Sequence, residues 1–211
     1  MRARVIRGAA SPIQGESPPM KCPSCATPLD APAPRCPHCK LSLHKLDSVF
    51  GMVPAHSRFF TDRSGTLALD EIKRIRTQLR LFHQKFPQAL LSVVVTELAG
   101  GGSAAEFAFW MANRARFTSA EKTRGDNFNL LLAIDLTGRA AALTTGYGLE
   151  KHVPEEALQN ALNEFARAQR EHGVAAGIKA CIASLVRQLR ELADEAKGEE
   201  LQEAQTGSDS W

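Results

Sequence analysis

The sequence predicts an α/β fold, a three-layer α/β/α sandwich around a central mixed sheet, preceded by a small cysteine-rich module. Three observations predict it. Two Cys-x-x-Cys pairs stand close together near the N-terminus. After them, short apolar runs of strand length alternate with stretches that are apolar every three or four residues, the pattern of helices laid on a sheet. Two of the runs are separated only by a tight turn, which adds an antiparallel edge to an otherwise parallel sheet. The chain has 211 residues, 44% apolar and 23% charged, enough for one well-buried domain plus an appendage. Its net charge of +3 is too small to argue for nucleic acid by itself.

Residues 1–19 are rich in Gly, Pro, Ser and Ala and read as a disordered tail. They are basic but lack the apolar run of a secretory signal, and no later stretch reaches membrane-spanning length, so the chain reads as cytoplasmic. The module at 20–42 contains Cys22-Pro-Ser-Cys25, ten intervening residues, and Cys36-Pro-His-Cys39. Each pair makes a tight turn that aims two thiolates at one ion, and two pairs complete the closed tetrahedral shell of structural Zn²⁺. Pro23 and Pro37 hold the same place in both turns, as matched knuckles of a zinc ribbon would require. Disulfides would need an oxidising compartment, and a redox Cys-x-x-Cys would open a helix after a strand, which the surrounding prolines do not provide. His38 and His44 read as a polar knuckle residue and a surface residue. Residues 20–45 hold no Phe, Tyr or Trp, which leans the module toward a protein contact or plain structure over nucleic acid.

Residues 43–57 read as a linker, with Val49, Phe50, Met52 and Val53 available to dock on the main domain, which we place at 58–192. Ile72, Ile75, Leu79, Phe82 and Phe86 form one face of a helix over 67–86, with Asp70 and Glu71 in its first turn and Pro87 beyond its end. Leu90–Glu97 reads as a buried strand. Gly100–Gly102 lacks a phosphate-loop lysine and reads as a plain loop. Phe107, Ala108, Trp110 and Met111 mark a second helix over 103–116. Strands at 128–135 and 139–145 flank the turn Leu136-Thr-Gly138. A third helix opens at Pro154, Glu155 and Glu156, and a fourth follows Gly173, with Cys181 as a small apolar core residue. Residues 193–211 read as an acidic disordered tail.

Three landmarks over about 58–190 carry a resemblance to a known family: Asp62 ahead of the first helix, Asp126-Asn127 leading into an apolar strand, and Gly146-Tyr-Gly-Leu-Glu150 closing the hairpin. In order and spacing they resemble the TPM-domain family. The chain departs from the family pattern at Phe128, where a Gly is usual, and at Ala68, where a capping Ser is usual. The resemblance implies an α/β/α domain, with calcium binding in some members and acid phosphatase activity in others.

The ends of an antiparallel hairpin meet, so Asp126 and Asn127 are expected beside Gly146–Glu150, with Asp62 and Glu97 on the same rim. Carboxylates with Asn are hard-oxygen ligands for Ca²⁺ or Mg²⁺. In a phosphatase, Asp126 would be a metal ligand or nucleophile and Asp62 a general acid. Tyr147, between Gly146 and Gly148, would line the cleft. Against this, Asp and Asn favour loop ends because they cap backbone groups, and Glu150 has the option of capping the third helix. The sequence alone leaves three functions standing: a non-catalytic accessory or binding protein with a structural zinc ribbon, a weak metal-dependent acid phosphatase, and a nucleic-acid or protein adaptor.

Overall fold

The computed structural model describes residues 20–29, 33–53, 59–98, 101–115, 129–150 and 152–206. The cysteine module contributes the small hairpin β1 (Met20–Lys21) and β2 (Pro28–Leu29). It runs into α1 (Leu43–Phe50), whose N-cap Ser42 accepts a hydrogen bond from Lys45 N. The stretch read as a linker is therefore partly helical. Its spacing gives the reason: Leu46 is buried one turn before the half-buried Phe50, and a helix this short holds only because that face docks.

The main sheet has the order β3-β4-β5-β6, formed by Phe60–Asp62, Leu90–Thr96, Asn129–Asp135 and Ala140–Thr145. β3, β4 and β5 are parallel, and β6 returns antiparallel to β5. The alternating pattern with a hairpin at one edge thus produces the expected mixed sheet. Every residue of β4 is buried, because both its faces are covered.

On one face, α2 (Leu69–Lys85) contributes Ile75, Leu79 and Phe82, joined by α5 (Glu155–His172) and α6 (Val174–Thr206) over Leu91, Val93, Leu132 and Ile134. Ala68 offers no side-chain acceptor at the start of α2, and Glu71 compensates by accepting from Ala68 N at 2.9 Å. Cys181 packs in this core, where burial pushes its thiol up to about 12. On the other face, α3 (Ala104–Arg114) lays Phe107, Ala108, Trp110 and Met111 over Leu90, Val94, Leu131 and Ala133. Both parallel connections step the same way across the sheet, yet α2 and α3 cover opposite faces. The two crossovers therefore have opposite hands, and one is the uncommon left-handed kind.

The C-terminal stretch read as disordered beyond 192 continues α6 as far as Thr206. Ala, Glu, Leu, Lys and Gln dominate 193–205, all strong helix formers, and only Asp194 and Gly198 oppose them. No helix among the described residues is long and apolar enough to cross a membrane.

Candidate metal centre and the opposite rim

The two knuckles are built alike. In the first, Ala26 N donates to Cys22 O at 2.9 Å and Cys22 N donates to Thr27 O at 3.0 Å. In the second, Lys40 N donates to Cys36 O at 3.0 Å and Cys36 N donates to Leu41 O at 2.8 Å. Ala26 and Lys40 take left-handed backbone, with φ of 56° and 61°. Each turn is thus closed by the same two hydrogen bonds and the same φ reversal, which points both thiols of a pair inward.

The four Sγ atoms lie within 4.8 Å of one another. Cys22 and Cys39 are 3.6 Å apart, and Cys25 and Cys36 are 3.8 Å apart. A tetrahedron of sulfurs about 2.3 Å from a central ion has edges of about 3.8 Å, so the donor set fits a zinc-sized ion with no position left open. Burial pushes the Cys22 thiol up to about 11, while Thr27, whose hydroxyl lies 3.2 Å from Cys25 Sγ, holds Cys25 down to about 5. His38 and His44 are exposed and are not among the four gathered sulfur donors, although the His38 side chain hydrogen-bonds Cys25 and adds to the lowering of that thiol.

The module packs directly onto the domain. Cys22, Cys36, Leu41 and Leu46 belong to the same apolar cluster as Val94, Phe107, Trp110 and Leu131. Phe50 packs edge-on against Phe107 at 5.3 Å and sits 5.3 Å from Trp110. Gly102 makes room for it: a Cβ there would come within 2.6 Å of Phe50 Cζ. Asp47 of α1 accepts from Trp110 Nε1 at 2.9 Å and from Arg114 Nε and Nη2 at 2.9 and 2.6 Å. Arg114 and then Trp110 hold the Asp47 carboxyl below its ordinary value, so this latch is intact at neutral pH and weakens as pH falls through that lowered value. At the far end, Lys21 Nζ pairs with Glu155 at 2.6 Å, tying the ribbon to the start of α5.

The carboxylates are divided between the two ends of the sheet. Asp62 closes β3, Glu97 follows β4 and Asp135 closes β5, all at the carboxyl ends of the parallel strands. Gly146–Glu150 follows β6 at the other end, about 20 Å away by the rise of a seven-residue strand. The expected common rim therefore does not form for Asp62 and Glu97, because parallel strands put their C-termini opposite the closing end of an antiparallel partner. Asp126 and Asn127 lie outside the described residues. Gly146 is the residue before α4 (Tyr147–Glu150), a single turn that includes Gly148. Burial raises the Glu150 carboxyl above its ordinary value. The residue before α5 is Pro154, so Glu150 does not cap that helix.

At the carboxyl rim, loops leave β3 and β4 toward opposite faces, where α/β sheets commonly bind ligands. Two of its three carboxylates, Asp62 and Asp135, are already committed. Asp62 Oδ1 accepts from Ser64 N, Ser64 Oγ and Gly65 N at 2.9, 2.7 and 3.1 Å, and Oδ2 accepts from Leu67 N at 3.2 Å. Asp135, which sequence reading did not single out, accepts from Leu98 N, Thr137 N and Gly138 N, each at 3.0 Å. Only the position of Asp135 just ahead of a Gly-containing turn hinted at this. We expect Asp135→Ala to cost about 1–3 kcal/mol in denaturant unfolding, since a buried carboxylate that organises three backbone donors of a partly exposed turn is lost. An unchanged midpoint would show that the turn holds without it.

A cavity of about 780 Å³ lies between the ribbon, α3 and the Gly146–Glu150 end of the sheet, lined by Cys22, Leu29, Leu41, Asn129, Gly146 and Glu150 among others. The ribbon forms one wall of it, so the module both caps a sheet face and shapes the cleft beside it.

Four cysteines placed to hold a metal ion, docked on a mixed α/β sandwich, define a domain of the α/β/α class with an integral cysteine ribbon. The chain belongs to the TPM-domain family, whose domain matches residues 60–188, more than half of the chain. Among solved structures it is similar to the N-terminal domain of a protein from P. gingivalis, at 19% identity and a TM-score of 0.48, covering 74% of this chain and 90% of that one. It is also similar to the N-terminal domain of a protein from Corynebacterium glutamicum, at 17% identity and TM-score 0.46, covering 60% and 76%. A protein from the psychrophilic bacterium Bizionia argentinensis is similar at 12% identity and TM-score 0.49, covering 62% and 86%. No curated protein matches the chain.

Proposed function

We propose that this chain is a non-catalytic TPM-domain accessory protein that works by binding another protein, with its four cysteines holding one structural Zn²⁺. The observation that carries the reading is the docked, closed cage. Four thiolates leave no open coordination position for catalytic water, and the buried cysteines make the ion part of the domain's own core. Two of the three carboxylates at the ligand-prone rim, Asp62 and Asp135, support it as well, since each is taken up by backbone donors of its own loop. Contact with a protein suits the ribbon better than contact with nucleic acid, since no aromatic side chain lies between its basic residues over 20–45.

The second reading is a divalent-metal-dependent phosphatase at the Asn129–Glu150 end. What favours it is the 780 Å³ cavity there, beside a carboxyl whose pKa burial has raised. Asp126, Asn127 and Glu150 would then supply oxygen ligands for Ca²⁺ or Mg²⁺. One preparation tests both readings. Metal analysis of the reduced protein should find one zinc per chain, and a generic phosphate monoester should not turn over with added Mg²⁺, Ca²⁺ or Mn²⁺. Turnover abolished by Asp126→Asn, with the fold intact by circular dichroism, would replace the accessory reading with the enzymatic one.

A further inference from the structure

The strand at the edge of the sheet lines the cleft through Ala142–Thr145, and its outer backbone edge carries a pattern that the metal centre does not use. β6 is the terminal strand, paired on one side with β5. Gly146 N donates to Asn129 O, which fixes the alternation of the ladder. Residues 140, 142 and 144 point their backbone groups at β5, and Ala141, Leu143 and Thr145 point theirs outward. Among the described residues these outward N–H and C=O groups have no partner.

Edge strands are ordinarily blunted by a charge, a proline, a bulge or brevity. Ala140-Ala-Ala-Leu-Thr-Thr145 has none of these: it is six residues long, uncharged, free of proline and in unbroken register with β5. The opposite edge, β3, is only three residues long and is followed at once by Arg63. Among the described residues the sheet is therefore protected at one side and left as a template at the other.

The charges flanking β6 are complementary under a two-fold axis. Exposed Arg139 precedes the strand, while Glu150 follows it and has no ion-pair partner among the described residues. Antiparallel pairing of β6 with a second β6, centred on Leu143, sets Ala141 opposite Thr145 of the other copy and brings the Arg139 end of each strand to the Glu150 end of its mate. No like charges face each other anywhere along the strand. A partner of unrelated sequence would satisfy the backbone equally well, but only a second copy supplies this match twice.

We propose that two copies of this chain associate through β6 edge-to-edge pairing, forming one continuous eight-stranded sheet with reciprocal Arg139–Glu150 contacts. The interface is isologous, so it closes at the dimer and does not propagate into fibres. Ala142 and Leu143 face the two opposite cores, so the new pairing extends both cores across the axis.

Light scattering coupled to size exclusion, with the full-length metal-loaded chain at about 100 µM, should report twice the 22.9 kDa of one chain and dissociation on dilution. Amide exchange at Ala141, Leu143 and Thr145 should slow with rising concentration. Ala141→Pro removes an outward N–H that the monomer does not use, so it should weaken association at least tenfold. Arg139→Glu should weaken it by a similar factor without touching the core, and Arg139→Glu with Glu150→Arg should restore it. A chain that stays monomeric at that concentration overturns the proposal, as does a dimer that survives both single variants.

Discussion

Removing the metal from the reduced protein should lower the melting temperature of the whole α/β domain, by about 10–20 °C, not merely unfold the cysteine module. The reasoning starts from the module itself. The described residues of the module have almost no core apart from the cysteine cluster, and two non-glycine residues, Ala26 and Lys40, sit at positive φ, at a cost of about 1–2 kcal/mol each. Structural zinc in finger peptides supplies apparent binding free energies of about 10–16 kcal/mol, and without it such modules do not fold. α1, with eight residues, is too short to persist alone. Once the cage opens, Leu41 and Leu46 leave the face they share with Val94 and Trp110, each giving up about 1.5–3 kcal/mol of burial. A loss of about 3–5 kcal/mol from a domain of this size corresponds to the stated shift.

The experiment is calorimetry, with Trp110 fluorescence in a Trp211→Phe background, on protein treated with reductant and chelator. Adding back zinc should restore the original transition. If metal content falls to zero and the main transition stays where it was, the ribbon is a passenger and its packing on the sheet contributes nothing.

How much of this could be read from the sequence depends on the range of the interaction concerned. The cysteine spacing is a local signal, and it led directly to the cage. The helix faces of α2 and α3 and the Gly138 turn are local as well, and all three appear close to where periodicity put them. The short strand β3 was harder to see. Three residues carry no period, and Phe60 becomes a strand residue only by pairing with Val93, thirty-three positions on. The helix within the stretch read as a linker was hidden for the same reason, since α1 depends on Phe107, Trp110 and Arg114 far along the chain.

The candidate carboxylates show a different limit. Asp62, Glu97 and Glu150 are all at element ends, as the sequence indicated, but which end of the sheet each occupies depends on strand direction. A hairpin announces its direction through its turn. The parallel order β3-β4-β5 does not, and it sends Asp62 and Glu97 to the rim opposite Glu150. Nor does residue type tell a ligand from a cap. Asp62 accepts four hydrogen bonds from its own loop, the very role that makes Asp common at such positions in proteins that bind nothing there.

The side chain on which the ribbon's docking turns is Trp110, and Trp110→Ala should be the most damaging single substitution outside the cysteines. Its ring is fully buried between α1 and the sheet, it sits 5.3 Å from Phe50 and 5.8 Å from Phe107, and its Nε1 donates to Asp47. Truncating a buried Trp to Ala costs about 3–5 kcal/mol through lost transfer energy and the cavity left behind. Here the loss also frees one of the three donors that hold Asp47, which leaves α1 attached mainly through Arg114. Trp110→Phe separates the two contributions: it keeps most of the apolar volume and removes only the hydrogen bond, so it should cost about 1–2 kcal/mol. Denaturant midpoints measure both, and metal retention during dialysis against chelator reads the docking independently of global stability. Trp110→Ala should lose zinc faster than wild type, whereas Phe165→Ala, an equally buried change in the core on the opposite face, should destabilise the domain without speeding metal loss. Equal metal retention in the two variants would mean that the ribbon holds its ion without help from the sheet.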